Sequence, residues 1–408
     1  MRARAGATHK WAFKARFRAR AFGWRSQPAI TRVREAVAEI SKVAKKDPLL
    51  AAEGAIDFLE RVSAALEQVD SSSGAIGSAV YGAVAELAGI IAAAEADGPT
   101  RKSWLERLWE AYQDDDIPYI ESLGDHWGEL CASIDLASEW ADRLMGTVKM
   151  AWSSDPNLRG FFKGTDNCLS ALLAAGRHDE VLDLLKMAPY KMWDYQQYGV
   201  KALAAQGRVD EAIRYAEEGR GLNDSHQAIA RLCEDLLLST GRTDEAYRRY
   251  AITANRAGTY LATFRALAKK YPNKDATEIL RDLVESTPGD EGKWFAAAKD
   301  AGLYEDALAL ASRTPCDPKT LTRAARDFAK REPGFALGAG LLALHWLVQG
   351  YGHEITGADV WAAYSTTLAV AGELGESDPV KERIRKMVAS ETLGEHFVSK
   401  ILARELRL

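Results

Sequence analysis

One short pattern recurs in the second half of the sequence and constrains the fold more than any other feature. It consists of a glycine, two further residues, an acidic pair and a small apolar residue. Clear copies begin at Gly176, Gly207, Gly241 and Gly302, at intervals of 31, 34 and 61 residues. A degenerate copy, Tyr271 to Ala276, lies near the middle of the longest interval. A period in the low thirties is typical of a helix-turn-helix repeat.

The chemistry of the pattern explains why it would join two helices. Glycine adopts the left-handed conformation that ends a helix at little steric cost. The acidic pair suits the first turn of the next helix, because negative charge is stabilised near a helix N-terminus. One such hairpin cannot bury its own apolar face, whereas stacked hairpins can. The sequence therefore predicts an all-α fold, an α-α superhelix built from helical hairpins.

These turns resemble those of tetratricopeptide repeats over about residues 157 to 315. The usual aromatic residue early in the first helix and the proline that closes each repeat are mostly missing. The chain also resembles an uncharacterised bacterial family of helical-repeat proteins, in which a segment like Trp127-Gly128-Glu129-Leu130 precedes the repeats. Some relatives carry a zinc motif, but this chain lacks the cysteines and histidine for one. The repeat resemblance implies a protein that holds a partner protein or peptide.

Helix signals continue outside the repeats, and strand signals are nearly absent. Asp-Pro pairs at Asp47, Asp155, Asp317 and Asp378 predict helix starts, because aspartate caps free N–H groups and proline suits the first helical position. Ser103 predicts a capping box with the glutamate three residues later. We expect four regions, which are a basic N-terminal arm (1–34), an N-terminal helical region (35–156), tetratricopeptide-like repeats (157–333) and a C-terminal helical cap (334–408).

Motifs for catalysis, cofactors or metals are missing from the sequence. It contains no P-loop, no His-Glu-x-x-His and no Gly-x-Ser-x-Gly. Gly338 to Ala343 matches a dinucleotide fingerprint only formally, since no strand precedes it. Four widely spaced cysteines without a Cys-x-x-Cys pair predict buried free thiols and a reducing, cytoplasmic location. We therefore expect no enzyme activity, no cofactor, no metal and no membrane span.

The concave groove of a tetratricopeptide-like array is the expected binding surface, and the first helix of each hairpin lines it. The turns place these helices at about 193–206, 227–240 and 257–270. The predicted partner-binding residues are Gln197, Tyr198, Lys201, Arg231, Asp235 and Arg265. Among them, Lys201, Arg231 and Arg265 could receive a partner's carboxylate. The alternative is that these charges are solvated residues of helix surfaces.

The N-terminal arm differs in charge from the rest of the chain. Residues 1–34 hold eight arginines and two lysines and no acidic residue. Phe13, Phe17, Ala21 and Trp24 would share one face of a helix. The arm could dock this face on its own protein, bind nucleic acid, lie on an anionic membrane or be a flexible tail. For nucleic acid, the predicted contacts are Lys10, Lys14, Arg16, Arg18, Arg20 and Arg25.

Overall fold

The computed structural model of the chain describes residues 9–219, 221, 225–392 and 396–407. The described residues are mostly helical and contain no strand, which confirms the all-α prediction. The chain divides into two compact units, one ending at Ser225 and the other beginning at His226, and each unit has its own hydrophobic core. This division falls inside the region 157–333 that the sequence predicts as one set of repeats.

Eleven α-helices and one 3-10 segment are described in the first unit. They are α1 (Ala12–Arg16), α2 (Ser26–Ala44), α3 (Pro48–Leu66), α4 (Ala75–Ala93), α5 (Gly98–Gln113), the 3-10 helix Glu121–His126, α6 (Trp127–Cys131), α7 (Ile134–Ala151), α8 (Thr165–Ala174), α9 (His178–Met187), α10 (Trp193–Ala205) and α11 (Val209–Glu218). Position 34, where the sequence places the end of the arm, lies inside α2.

The second unit is described as a further series of helices. They are α12 (His226–Ser239), α13 (Thr243–Ala246), the π-helical turn Tyr247–Ala251, α14 (Ile252–Ala254), α15 (Tyr260–Lys270), α16 (Ala276–Glu285), the 3-10 helix Glu291–Trp294, α17 (Phe295–Asp300), α18 (Tyr304–Arg313), α19 (Pro318–Phe328), α20 (Pro333–Val348), α21 (Gly357–Glu373), α22 (Ser377–Ala389) and α23 (Phe397–Leu406). The segments from α13 to α14 follow one another directly, so the π-helical turn interrupts one longer helix.

Helix α4 is central to the first unit, where it packs against α2, α3 and α6. Its buried residues, including Val80, Val84 and Leu87, recur every three or four positions, as expected for one face of a helix. Arg101 of α5 donates a hydrogen bond of 2.7 Å to the carbonyl of Ile91 in the last turn of α4, which also accepts from the backbone N–H of Ala94 at 3.3 Å. Among the described residues, α4 alone is long and apolar enough to cross a membrane. A core helix of a soluble protein has the same properties, so this finding does not assign α4 to a membrane.

All four predicted glycine turns have one backbone geometry. The φ angles of Gly176, Gly207, Gly241 and Gly302 are 74°, 77°, 75° and 77°. In each turn the glycine N–H bonds to the carbonyl three residues back, and the next N–H bonds to the carbonyl five residues before itself. These are the two hydrogen bonds of the Schellman motif. The next helix starts two residues after each glycine, with acidic residues in its first turn, as predicted.

An arginine directly after the glycine adds a contact that the sequence reading missed. Arg177 and Arg208 each hold the glutamate three residues later through two hydrogen bonds, of 2.6 and 2.7 Å to Glu180 and 2.8 and 2.5 Å to Glu211. Arg242 likewise pairs with Glu245, the glutamate three residues later. The arginine therefore joins the turn to the first turn of the second helix. Leu303 replaces it in the fourth copy.

Three predicted helix starts require correction. Asp155 caps no helix, because the residues after it form a turn in which its carboxylate accepts from the backbone N–H of Asn157. Asp378 lies inside α22, which begins one residue before it. Ser103 lies inside α5, whose N-cap is Asp97, six residues earlier. The Asp-Pro predictions at 47 and 317 are confirmed, since both aspartates cap the helices that follow.

Candidate functional site

Three of the predicted groove residues lie on α10 in the first unit, and the structure places them differently. Gln197 is half-buried, and its side-chain oxygen accepts from Lys201 Nζ at 3.1 Å. Lys201 is also half-buried and lies 5.2 Å from the centre of the Tyr198 ring. Tyr198 is 1% exposed, so its side chain belongs to the core. Tyr198 therefore has almost no surface to offer to the partner that the sequence predicts for it.

The other three predicted groove residues lie in the second unit and are exposed, but each has an intramolecular partner. Arg231 donates from Nε to the carbonyl of Ala254 at 2.8 Å. Asp235 accepts from Lys270 at 2.9 Å. Arg265 forms two hydrogen bonds, of 2.9 and 2.5 Å, to the carboxylate of Asp300. A partner's carboxylate at Arg265 would therefore compete with one that is already bound.

Tyr198 is part of a buried polar cluster where α8, α10 and the 3-10 helix of the first unit meet. Its hydroxyl donates to Asp125 Oδ1 at 2.9 Å. The backbone carbonyl of Asp125 accepts from Ser170 on α8 at 2.9 Å. Gly124 permits this approach, since a β-carbon there would lie 3.0 Å from Cβ of Asp166 and 3.1 Å from Oδ1 of Asn167. The cluster thus joins three helices through polar side chains.

Some polar atoms of this cluster have no hydrogen-bond partner among the described residues. They are Oδ1 of Asp166 and both side-chain polar atoms of Asn167, which is fully buried. Burial, followed by the charges of Asp125, Asp194 and Glu121, raises the pKa of Asp166 well above its ordinary value. Burial also lowers the pKa of Lys201. The cluster therefore favours a protonated Asp166.

Helix α10 also contributes to a cleft, which is lined by residues of α9, α10 and α11. Both of these helices pack against α10. The cleft has a volume of about 670 Å³, and its charged lining consists of four carboxylates and three cations, which are Asp179, Asp183, Glu211, Glu218, Lys186, Lys191 and Arg208. Leu182, Leu185 and Leu203 supply apolar surface. The cleft is therefore nearly neutral in charge and mixed in polarity.

Two polar side chains in this cleft have no hydrogen-bond partner among the described residues. Gln196 is 3% exposed, yet its amide makes no hydrogen bond within the described chain. The hydroxyl of Tyr215 on α11 likewise makes none. The Tyr215 ring lies against Gly199, where a β-carbon would come within 2.7 Å of it. Neither the amide atoms of Gln196 nor the hydroxyl of Tyr215 is among the fully buried polar atoms that lack a partner, so these groups are open to the cleft, where a ligand could bond to them.

The N-terminal arm docks on the first unit, which agrees with one of the predicted alternatives. Trp11, Phe13 and Phe17 are buried. Phe17 contacts Phe58 of α3 with ring centres 5.0 Å apart, and Trp11 fills a notch at Gly54. Between Phe13 and Trp24 the arm is helical only in α1, so the predicted helical face over these residues is wrong, and Trp24 is 72% exposed. Residues 1–8 of the arm lie outside the described residues.

Docking engages half of the cations predicted to contact nucleic acid. Lys14 pairs with Asp57, Arg16 with Glu35 at 2.7 Å, and Arg20 with Glu67 at 2.9 Å. The hydrogen bond from Arg20 lowers the pKa of Glu67. The side chains of Lys10, Arg18 and Arg25 form no ion pair with any described residue, and all three are exposed.

The sequence predicts buried free thiols and no metal site. All four cysteines are buried free thiols, as expected. Burial raises the pKa of Cys131, Cys168 and Cys316 to about 12, so these thiols are unreactive. No group of three or more potential ligands that could hold a metal ion occurs in the part of the chain that the structure describes.

The sequence matches no protein-family model, and no curated protein matches it significantly.

Proposed function

We propose that this chain is a cytoplasmic scaffold whose tetratricopeptide-like hairpins stack into a superhelix within each unit and bind a partner protein or peptide, without catalysis. The observation that carries this proposal is the common geometry of the four glycine turns. A turn repeated with one set of hydrogen bonds orients successive hairpins alike, which is how solenoids generate extended binding surfaces. Sequential packing supports it, since α19 packs on α20 and α21, and α21 packs on α22 and α23.

The experiment that tests the scaffold function is affinity purification of the full chain from its native host, followed by mass spectrometry. We expect a specific protein partner that remains after nuclease treatment. A Lys201→Glu variant removes the cation of α10 that has no carboxylate partner, and we expect it to weaken partner capture while the protein stays folded. Recovery of no protein above background, or capture that nuclease abolishes, would contradict the proposal.

Nucleic-acid binding by the arm is the second candidate function. Lys10, Arg18 and Arg25 are free of ion pairs among the described residues, and Trp24 beside Arg25 offers an exposed ring for base stacking. Three phosphate contacts give a shallow dependence of affinity on salt. Titration of single-stranded RNA and DNA at low ionic strength tests this candidate. Unchanged affinity in a variant with Lys10, Arg18 and Arg25 replaced by alanine would exclude this contact set.

A further inference from the structure

We infer that the cleft between α9, α10 and α11 binds a peptide in an extended conformation, with the amide of Gln196 pairing with the peptide's main chain. This inference rests on the proposed scaffold function and names the site and the chemistry of recognition. The cleft differs from the predicted groove, because Gln196 and not Gln197 lies in it.

The unpartnered groups fix the kind of ligand. A glutamine amide presents one acceptor and two donors, which match the N–H and C=O of a peptide unit. Gln196 is 3% exposed as a whole residue, while its amide atoms are open to the cleft and make no hydrogen bond in the described chain. A ligand with a donor and an acceptor side by side recovers both bonds. The Tyr215 hydroxyl, which lies against Gly199 of α10, offers one more donor or acceptor in the cleft.

The charge of the lining excludes strongly charged ligands. Arg208 is held by Glu211, and Lys186 pairs with Asp183 at 2.7 Å, so two of the three cations are already neutralised. Glu218 and Lys191, which form no ion pair with any described residue, add opposite charges to the lining. A nucleotide or nucleic acid would bring phosphates to a lining with more carboxylates than cations. A peptide main chain carries no net charge and fits.

The shape favours a linear occupant. The walls α9 and α11 each run for ten residues, or about 15 Å at the helical rise per residue. The volume of about 670 Å³ is in the range of sites that take small ligands or a few residues of peptide. Leucines of α9 and α10 provide apolar surface for side chains of such a peptide. Apolar surface with a single amide anchor is suited to modest sequence selectivity.

The test uses the full-length chain and a library of random peptides displayed on phage. Enriched peptides are synthesised with a fluorophore, and their affinities are measured by anisotropy for the wild type and for Gln196→Leu, Tyr215→Phe and Gln197→Leu. We expect Gln196→Leu to weaken binding tenfold or more and Tyr215→Phe severalfold. The control Gln197→Leu changes the adjacent glutamine, which bonds to Lys201, and should change affinity less than twofold.

A second measurement separates main-chain recognition from simple packing. Peptides with a single N-methylated residue are scanned, and we expect one position at which methylation removes binding, because it removes the donor that faces Gln196. Circular dichroism confirms that each variant is folded. Affinities that do not respond to Gln196→Leu overturn the inference, and if they respond to Lys201 or Arg231 instead, the scaffold function stands without this cleft. Enrichment of no peptide overturns the cleft, while affinity purification still decides the scaffold.

Discussion

Tyr271 donates a hydrogen bond of 2.6 Å to Oε1 of Glu234, a carboxylate that is wholly buried in the second unit. The same carboxylate accepts from Asn255 at 2.7 Å and from Lys270 at 2.7 Å. It therefore ties α12 to the end of α14 and to the turn after α15. Burial alone would lower the pKa of Lys270, but the hydrogen bonds that Lys270 donates to Glu234 and Asp235 outweigh it and raise this pKa. The buried carboxylate thus has three hydrogen-bond partners.

Replacement of this carboxylate should be strongly destabilising. Glu234→Leu leaves Tyr271, Asn255 and Lys270 without their shared acceptor, and we expect a loss of about 3–5 kcal/mol in the free energy of unfolding. The control Asp235→Leu changes its exposed neighbour, which bonds to the same lysine, and should cost at most about 1 kcal/mol. Urea denaturation of both variants measures the difference. Equal midpoints would show that the buried network adds no stability.

Replacing a glycine by alanine should change the free energy of unfolding in opposite directions at two positions of the first unit, Gly207 and Gly82. Gly207 has φ 77°, so Gly207→Ala forces a β-carbon into a disfavoured conformation and should cost about 1–2 kcal/mol. Gly82 lies in the middle of α4 on its exposed face, and a β-carbon added there would have no heavy atom within 4 Å. Gly82→Ala should therefore raise stability by up to about 1 kcal/mol. Urea midpoints test both, and a stabilising Gly207→Ala would contradict the turn geometry.

The helices and turns could be predicted from the sequence because their causes are local. A glycine that must be left-handed and an acidic pair at a helix start act over six consecutive residues, and all four predicted turns are present. The expected first helix at 193–206 corresponds closely to α10, Trp193–Ala205. Two of the three failed helix starts, Asp155 and Ser103, match a local preference for capping that the folded chain does not use at these positions.

The site residues could not be predicted because their environment is not local. One residue along a helix rotates the side chain by about 100°, which separates Gln196 in the cleft from Gln197 outside it. Tyr198 is buried, and its hydroxyl bonds to Asp125, 73 residues earlier in the chain. No periodic pattern connects these two positions. The missing hydrogen bonds of Gln196 likewise become visible only when every neighbour is placed.

Stability should depend on pH through Asp166. Its pKa is raised by burial and nearby carboxylates, so the folded state favours the protonated form. Raising the pH above the ordinary aspartate pKa of about 3.9 ionises the unfolded chain first, and stability is lost until the folded-state pKa is passed. Asp166→Asn cannot ionise, so at pH 7 we expect it to be more stable than the wild type by about 1–3 kcal/mol.

This gain should shrink as the pH falls towards 4, where Asp166 is largely protonated in both states. Thermal or urea denaturation between pH 4 and 8 measures it. Asp183→Asn serves as control, because Asp183 is an exposed carboxylate paired with Lys186 and its replacement should change stability by less than about 1 kcal/mol at any of these pH values. A gain that is the same at pH 4 and pH 7 would show that Asp166 is not protonated by folding.

Docking of the N-terminal arm should depend on aromatic burial more than on its ion pairs. Phe17 is 1% exposed and contacts Phe58, so Phe17→Ala should destabilise the docked arm by about 3–5 kcal/mol. The exposed pair of Arg20 with Glu67 should contribute little, because solvent and salt screen it. Trypsin reports the difference, because it cleaves after arginines such as Arg18 when the arm is released. We expect native-state cleavage to be at least tenfold faster in Phe17→Ala, little changed in Arg20→Ala, and unchanged in Trp24→Ala, where the ring is 72% exposed.

Salt at 1 M screens ion pairs and leaves apolar contacts intact. Faster cleavage of the wild-type arm on addition of salt alone would therefore show that ion pairs, and not aromatic burial, hold the arm in place.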